Sequence, residues 1–505
     1  MAIDSRRIAK NTIFMYMRMI LVMGITIFTS RVVLDKLGVD DYGLYNAVAG
    51  VVGMLSFLNN TLSKGTSRFI NFELGTGNES SLKTTFSTAF YTHIFLMIIL
   101  LVFLETAGLW FVDNKLVIPE ERMQAAHCVY QISLLTMCLG IIQVPFTSCI
   151  IAHEDMSLYA YLGIFEAVGK LVVAYLLIVS NADKMILYAC LLFCIHLVIF
   201  LVYVLFCRKR YYESSYYRKF DSKIFKNMMR FSGWNVIANL TETLKIQGSN
   251  VLVNMFFKPA LVAAQAVSNQ VTNILLNFIY QFTTALNPQI IKSYAEGDKE
   301  SSKKLTLQST VFVFDLVLVI CLPLIYTIEP ILNIWLVDVP ENTVNFIRIS
   351  LVTQILNVFN ITFYTPMVAS GNLRSNSLWG VFLGLGQFVA SYILYRAGFS
   401  VMCLPYLLLI STCLYSFFIK PFILYKEIGY GIKEMIICYI NCLKVFIPSF
   451  VLSFVLNILI MPDTLFDYSI ILVGSVMIIV VCAFVCMERT IRDKLINLMK
   501  IKLAR

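Results

Sequence analysis

Ionisable residues inside long apolar segments are the side chains of this sequence most able to do chemistry. A charge near the centre of a bilayer costs roughly 2.5 kcal/mol or more, so it is usually paired or serves a site. Glu166 and Lys170 are four residues apart in one apolar segment, which places them on one helix face in the favourable order. We interpret the pair as lining a polar cavity. The alternative is a local ion pair that only allows the helix to insert.

A second pair, Glu242 and Lys245, lies in a later apolar segment. With about 100° of rotation per residue, these two share one helical stripe with Asn235, Asn239 and Ser249. A polar stripe on a membrane-spanning helix faces protein or a water-filled cavity rather than lipid. The stripe therefore predicts a second cavity wall that includes Asn239, Glu242 and Lys245, with a packed polar seam between helices as the alternative.

Two arginines in the first apolar segment complete the predicted binding set. Arg18 lies about two turns into the segment and Arg31 lies near its far end. Each could instead extend to the membrane surface along its aliphatic stem. If both line the cavity with Lys170 and Lys245, four cations meet there. Such a set suits a phosphate-type anion, because arginine offers a planar donor fork and lysine a point charge.

Two further residues are candidates for coupling transport to an ion. His93 and Asp315 each stand within an apolar segment. A buried histidine with satisfied hydrogen bonds is the alternative for His93, and a packing role at an interface is the alternative for Asp315.

The elements that must position these residues are helices that cross a membrane. Apolar residues make up 59% of the 505-residue chain and charged residues 14%, against roughly 25% charged in soluble domains. Blocks of about twenty apolar residues cross a bilayer as helices, because every backbone polar group must be paired within the chain there. We predict an all-α polytopic membrane protein with about fourteen transmembrane helices, near residues 12–34, 42–62, 84–111, 124–152, 158–180, 184–206, 230–257, 261–286, 307–328, 342–369, 376–396, 400–424, 438–460 and 468–488.

The distribution of basic residues predicts the topology. With the N-terminus in the cytoplasm, the inside segments hold 27 Lys and Arg residues and the outside loops hold 6. One missed helix would invert every later loop, so this split supports the count and places both termini in the cytoplasm. We read the net charge of +10 as this topology signal rather than as nucleic-acid binding, since no soluble stretch is long enough to fold as a separate domain.

An internal repeat predicts the domain organisation. Residues 163–178 (GIFEAVGKLVVAYLLI) match residues 380–395 (GVFLGLGQFVASYILY) at six of sixteen positions, and two further anchors agree at nearly the same offset. Six helices separate the copies, so the two six-helix repeats are parallel, as in many transporters. We expect an N-terminal half at 1–206, a basic cytoplasmic linker at 207–229, a C-terminal half at 230–424, and two additional helices with a basic tail at 425–505. Leu383 and Gln387 are the counterparts of Glu166 and Lys170, so the scaffold alone does not require those charges.

The segment 31–46 (RVVLDKLGVDDYGLYN) carries a family resemblance. Its local interpretation is a helical hairpin with a tight loop at Gly38. An Arg at the end of the first helix, then LG and a DYGLY start to the second, resembles bacterial polysaccharide flippases of the multidrug/oligosaccharidyl-lipid/polysaccharide exporter superfamily. The segment 64–78 (KGTSRFINFELGTGN) is similar to a short surface helix of that family, and twice six helices plus two matches its plan.

The resemblance implies a transporter in the bacterial inner membrane rather than an enzyme. It would flip polyprenyl-pyrophosphate-linked oligosaccharide repeat units to the outer leaflet by alternating access, for surface polysaccharide or lipopolysaccharide biosynthesis. Its partners would be this lipid-linked substrate, membrane lipids and polysaccharide polymerase or assembly proteins. No catalytic residue, metal or cofactor is expected, because the sequence has no Walker A loop, zinc-type motif or nucleophile elbow.

Two alternatives remain open. A cation-coupled multidrug antiporter of the same superfamily would need lone acidic residues facing the cavity. The first span has Arg18 and no acidic residue, which favours an anionic substrate. A membrane-embedded polysaccharide polymerase or ligase is the second alternative. Those enzymes resemble one another in having a large outside loop, whereas the outside loops here are short.

Overall fold

The computed structural model describes residues 5–55, 63, 66–67, 69–70, 73–74, 78–153, 155–215, 219–229 and 247–487. Within these ranges every regular element is a helix. Twelve of the fourteen predicted spans overlap a helix along most of their length, whereas 56–62 of the second span and 230–246 of the seventh span lie outside the described residues. In chain order, α1 to α14 are Ser5–Leu37, Val39–Gly53, Glu79–Lys115, Glu120–Ala152, Met156–Val179, Lys184–Arg210, Ser249–Phe256, Pro259–Ala295, Lys299–Trp335, Thr343–Ser370, Arg374–Arg396, Cys403–Ile428, Ile432–Ile460 and Leu465–Cys486.

Ten of these helices are long and apolar enough to cross a membrane, among the residues that the structure describes. The other four are α1, α2, α7 and α8. The prediction of an all-α polytopic membrane protein is confirmed. The helices also extend beyond the predicted spans, because hydropathy detects only the apolar part of a helix whose polar turns continue outside it.

The chain forms two compact units. The first unit comprises Met1–Ala266, Trp335–Glu341 and Tyr395–Val401, and the second comprises Val267–Ile334, Asn342–Leu394 and Met402–Arg505. The core of the first unit contains α2, the first two thirds of α4 and the beginning of α6, with Val48, Tyr130, Ile141 and Met185 almost fully buried. The predicted boundaries of the two sequence halves stay a prediction.

Helices α3 and α9 begin with the same kind of N-cap hydrogen bond. The side chain of Asn78 accepts a hydrogen bond from the amide of Ser81 at 3.1 Å. Asp298 accepts one from the amide of Ser301 at 3.0 Å. Each cap satisfies an amide that the first turn leaves without a helical partner. The two sites lie 220 residues apart, so one anchor of the sequence repeat corresponds to one local structure in both copies.

The predicted hairpin at 31–46 is present as the junction of α1 and α2. Gly38 separates the two helices and has a φ of 82°, a left-handed conformation that favours glycine. Asp40 and Asp41 follow in the first turn of α2, where the helix dipole favours negative charge.

Candidate functional site

Glu166 and Lys170 form a direct ion pair on α5. The Lys170 Nζ lies 2.6 Å from the Glu166 Oε1, as the four-residue spacing predicts. Both residues are about one third exposed, at 34% for Glu166 and 39% for Lys170. The pair is therefore neither fully buried nor fully exposed. Whether it faces protein or lipid depends on which side of α5 carries it.

The ion pair lies on the side of α5 opposite to an exposed apolar stripe. Glu166 and Lys170 share their side of the helix with Val173 and Leu177, which are at most 3% exposed. The stripe on the other side is exposed by 43% to 82% and consists of Tyr161, Phe165, Val168, Val172, Tyr175 and Val179. An exposed apolar stripe on a membrane helix is the lipid-facing side. The two charged side chains consequently point toward the interior of the protein, where they stay about one third exposed.

His196 on α6 is a neighbour of the ion pair that sequence reasoning missed. The charges of both Glu166 and Lys170 act on its ring. The two helices approach closely at this level, since a Cβ at Gly169 would lie 3.0 Å from the Cδ1 of Ile195. In the sequence, His196 is an isolated histidine in an apolar segment. Its proximity to the ion pair could not be predicted, because the sequence does not show which helices are adjacent.

Helix α1 packs along α5, with the rings of Phe28 and Tyr175 6.4 Å apart. The first and fifth spans run in the same direction in the predicted topology. Two parallel helices rise equally per residue, so the positions ten residues before Phe28 and Tyr175 should also be level. These positions are Arg18 and Phe165, and Phe165 adjoins Glu166. With that direction, we expect the backbone of α1 to carry Arg18 at the level of the ion pair; the structure does not describe its side chain. Arg31 lies thirteen residues further along α1 and is half-buried.

The second copy of the repeat replaces the ion pair with a neutral contact. Gln387, the counterpart of Lys170, is 8% exposed. Its Oε1 accepts a hydrogen bond from the hydroxyl of Ser411 on α12 at 3.2 Å. A buried amide that binds the next helix serves packing, so the charges at Glu166 and Lys170 are specific to the first copy.

The predicted stripe of the seventh span lies mostly outside the described residues. Asn239, Glu242 and Lys245 fall in the gap between 229 and 247, so their role stays a prediction. Ser249 continues the same stripe at the start of α7 and is 3% exposed. At this end, the stripe faces protein.

His93 is fully buried on α3. Its Nδ1 contacts the backbone carbonyl oxygen of Ala89 at 2.7 Å. Its Nε2 is buried and has no hydrogen-bond partner among the described residues. The ring is thus only half satisfied, and a role for it in proton transfer stays a prediction.

Asp315 lines a cavity of about 370 Å³ within the second unit. The cavity lies among α9, α13 and α14, and its polar lining includes Lys303, Lys304, Gln308, Glu434 and Asn441. Because Oδ1 of Asp315 is buried and has no hydrogen-bond partner among the described residues, this carboxylate is available to a ligand. Its position on α9 places it deeper in the membrane than the charged residues near the start of that helix.

Two further cations with defined surroundings were not candidates from the sequence. Arg122, in the first turn of α4, donates from Nε and Nη2 to the two oxygens of Asp41 and from Nη1 to Asp183. Lys420 is 2% exposed on α12, and its ammonium lies 5.2 Å and 5.3 Å from the ring centroids of Tyr364 and Tyr415. The sequence places Arg122 in a loop and Lys420 at the end of a span. Neither position identified the residue as a candidate, because the local sequence does not show which distant residues a side chain contacts.

Neither a scan against family models nor a search of curated proteins finds a match for this chain. Solved structures do match in fold. A lipid II flippase, MurJ, in an inward closed conformation superposes with a TM-score of 0.70 at 12% identity, covering 94% of this chain and 98% of that one.

Multidrug transporters also match. An inward-facing multidrug resistance transporter of the MATE family and MOP superfamily gives a TM-score of 0.66 at 13% identity, over 84% of this chain and 94% of that one. A MOP superfamily transporter from Pyrococcus furiosus gives 0.58 at 13% identity, over 80% and 92%. The chain therefore has the fold shared by these flippase and multidrug transporter structures.

Proposed function

We propose that this protein is a membrane transporter that flips polyprenyl-pyrophosphate-linked oligosaccharides from the cytoplasmic to the outer leaflet of a bacterial inner membrane. The observation that carries the proposal is the Glu166–Lys170 pair on the inner side of α5. Charges at such a place are costly unless water or a polar ligand reaches them. The neutral Gln387 in the second copy argues that the fold does not need them.

The physical task explains why cations are required. A sugar-pyrophosphate head is polar and anionic and cannot enter hydrocarbon alone, whereas its polyprenyl tail can stay in the bilayer. Lys170 supplies a positive charge that Glu166 orients, and Arg18 stands at the same level on the adjacent α1. Arg31 and Lys245 are the further phosphate-binding residues of the proposal. Arginine binds phosphate oxygens through two nitrogens at once, and lysine adds charge.

The fold is compatible with this task. The likeness to the lipid II flippase extends over 94% of the chain. Alternating access, in which a substrate site opens first to one side of the membrane and then to the other, is the mode of transport in duplicated transporter folds. Surface polysaccharide biosynthesis is the pathway class that uses such lipid-linked units, and polymerase or assembly proteins are the proposed partners.

A cation-coupled multidrug antiporter is the second candidate, and Asp315 is the observation that favours it. A carboxylate in a cavity, with one buried oxygen lacking a hydrogen-bond partner among the described residues, is suited to bind Na⁺ or a proton. The same residue could couple an ion gradient to lipid flipping. The substrate therefore separates the two candidates, and the presence of ion coupling does not.

Surface polysaccharide in cells tests the proposal. Lys170→Ala, Lys245→Ala and Arg18→Ala are introduced singly, and the protein in the membrane is quantified beside the polysaccharide. We expect polysaccharide to fall while membrane abundance stays normal. Lys36→Ala is the matched control, because Lys36 pairs with the adjacent Asp35 at the end of α1. Unchanged polysaccharide in all three variants would contradict the proposal.

A further inference from the structure

Three side chains with metal-binding atoms converge in the first compact unit, separately from the Glu166–Lys170 pair. Cys149 is in the last turn of α4 and His153 directly follows that helix, while Glu213 lies on the turn Tyr212–Ser214 just after α6. The His153 Nε2 is 2.6 Å from the Glu213 Oε1, and the Cys149 Sγ is 3.0 Å from the same oxygen. All three candidate ligand atoms lie within 4.8 Å of one another.

We propose that Cys149, His153 and Glu213 bind a divalent transition-metal cation of the zinc type. Thiolate sulfur, imidazole nitrogen and carboxylate oxygen are the ligands that zinc prefers in proteins. A thiolate and a carboxylate together carry two negative charges, so they neutralise a divalent cation when the imidazole is neutral. This inference is independent of the transported substrate.

The geometry requires only a small adjustment. In a tetrahedral zinc site, ligand atoms lie about 3.3–3.6 Å apart, given zinc–ligand distances of roughly 2.0–2.3 Å. The two contacts to the Glu213 Oε1 would therefore lengthen by less than about 1 Å. The Cys149 Sγ and the His153 Nε2, which lie within 4.8 Å of each other, would come to about 3.5 Å. Cys149 lies four residues before His153, a spacing that puts both on one side of the helix end. Three protein ligands leave a fourth position for water.

The surroundings of the three residues suit a metal site. Cys149 and Glu213 are buried, at 0% and 3% exposure, whereas His153 is partly exposed and gives access from solvent. The ring of His153 stacks on Tyr211, with centroids 4.2 Å apart and planes 5° apart. The Tyr211 hydroxyl in turn donates to the Asp155 Oδ2 at 2.7 Å. Tyr211 therefore holds the imidazole plane, as the outer groups around metal ligands commonly do.

A plain ion pair between His153 and Glu213 accounts for two of the three residues. Without a cation, the buried Cys149 thiol donates a hydrogen bond to the same carboxylate oxygen, so the metal-free alternative is a hydrogen-bonded cluster that cobalt and zinc would leave unchanged. A bound cation accounts for all three and ties the end of α4 to the turn after α6. Since a ligand that binds only the folded state stabilises that state, the cation should raise the melting temperature.

The test uses the purified full-length protein in detergent, treated with a chelator and then titrated with Co²⁺. We expect a tetrahedral cobalt spectrum with a thiolate-to-cobalt charge-transfer band, and one equivalent of Zn²⁺ should remove it. Cys149→Ser should abolish the charge-transfer band. His153→Ala and Glu213→Gln should weaken binding by about tenfold or more. The thermal shift produced by Zn²⁺ should disappear in all three variants.

Two matched controls separate this site from adventitious binding by the other thiols and imidazoles. Cys321→Ala removes a buried thiol of α9 in the second unit, and His127→Ala removes a histidine that pairs with Asp113 elsewhere in the first unit. Both should bind cobalt as the wild type does. Gel filtration confirms that each variant is folded, and the near-isosteric Glu213→Gln keeps the test valid if His153→Ala fails. No charge-transfer band in the wild type, or wild-type binding by Cys149→Ser and Glu213→Gln, overturns the proposal.

Discussion

Gly43 packs directly against the backbone of Pro259. A Cβ atom at position 43 would lie 1.9 Å from the carbonyl oxygen of Pro259, closer than any real contact allows. Helix α2 therefore approaches the start of α8 within the first unit only because residue 43 has no side chain. The glycine of the DYGLY segment thus has a structural explanation in close helix approach.

Gly43→Ala should consequently destabilise the protein strongly. The neighbour is backbone and cannot turn aside, so the two helices must separate at a cost of about 1–3 kcal/mol or more. We expect a lower melting temperature in detergent and a lower membrane abundance. Gly24→Ala is the control, because a Cβ there meets nothing within 4 Å and alanine favours a helix. Equal melting temperatures for the two variants would argue against the packing seen here.

Arg122→Ala should also destabilise the first unit. The substitution leaves Asp41 and Asp183 side by side without their shared cation, and charged hydrogen bonds contribute about 1.5–3 kcal/mol each before solvent screening. We expect a net loss of about 1–3 kcal/mol, read from thermal unfolding in detergent. Arg122→Lys should recover only part of it, because an ammonium cannot form the two-nitrogen contact with Asp41. Full recovery in the lysine variant would show that charge alone suffices.

The Asp183 carboxylate should make this stability depend on pH. Burial acts to raise the pKa of Asp183, but the hydrogen bonds from Arg122 and from the amides of Ile186 and Met185 outweigh it and lower the pKa below its usual value of 3.8. A depressed pKa gives stability that is present above pH 3.8 and is lost as the pH falls through the folded value. Melting temperatures from pH 7 to 3 measure it. The acid loss should shrink in Asp183→Asn, and an unchanged loss would contradict this assignment.

Ion coupling is tested at Asp315. If this carboxylate binds the coupling ion, Asp315→Asn should leave folding intact but make transport independent of an imposed Na⁺ or proton gradient. Glu329→Gln is the control on the same helix, since its carboxylate is 61% exposed and pairs with Arg348 at 3.8 Å. The measurement is uptake or flipping in vesicles with and without each gradient. Gradient dependence that persists in Asp315→Asn would exclude the residue from coupling.

Among the described residues, the sequence was sufficient to predict the helices and the contacts between residues that are close in the chain. Hydropathy located α3, α6 and α14 because an apolar block of bilayer length has one stable conformation in a membrane. The Glu166–Lys170 contact followed from helix geometry, since residues four apart meet on one face. The exposed stripe of α5, in contrast, required the structure, because the other residues of this helix are almost all apolar and their periodicity is weak.

Contacts between distant segments were beyond the sequence. His196, the Arg122 clamp and the Cys149–His153–Glu213 cluster each join side chains from different helices or loops. Their spacing along the chain is irregular, with 60 residues between His153 and Glu213. No local pattern marks such a pair, and only the packing of α4 beside α6 brings the two together.

The central claim is that Lys170 contributes to binding a pyrophosphate-linked lipid, and reconstituted vesicles test it most directly. A fluorescent polyprenyl-pyrophosphate oligosaccharide is placed in the membrane, and its movement between leaflets is followed by quenching from outside. We expect rapid flipping by the wild type and by Lys36→Ala. In Lys170→Ala, flipping should be slower by about 10- to 100-fold, the equivalent of one charged hydrogen bond. Wild-type flipping by Lys170→Ala, or no flipping by the wild type, would contradict a role for Lys170 in binding this lipid.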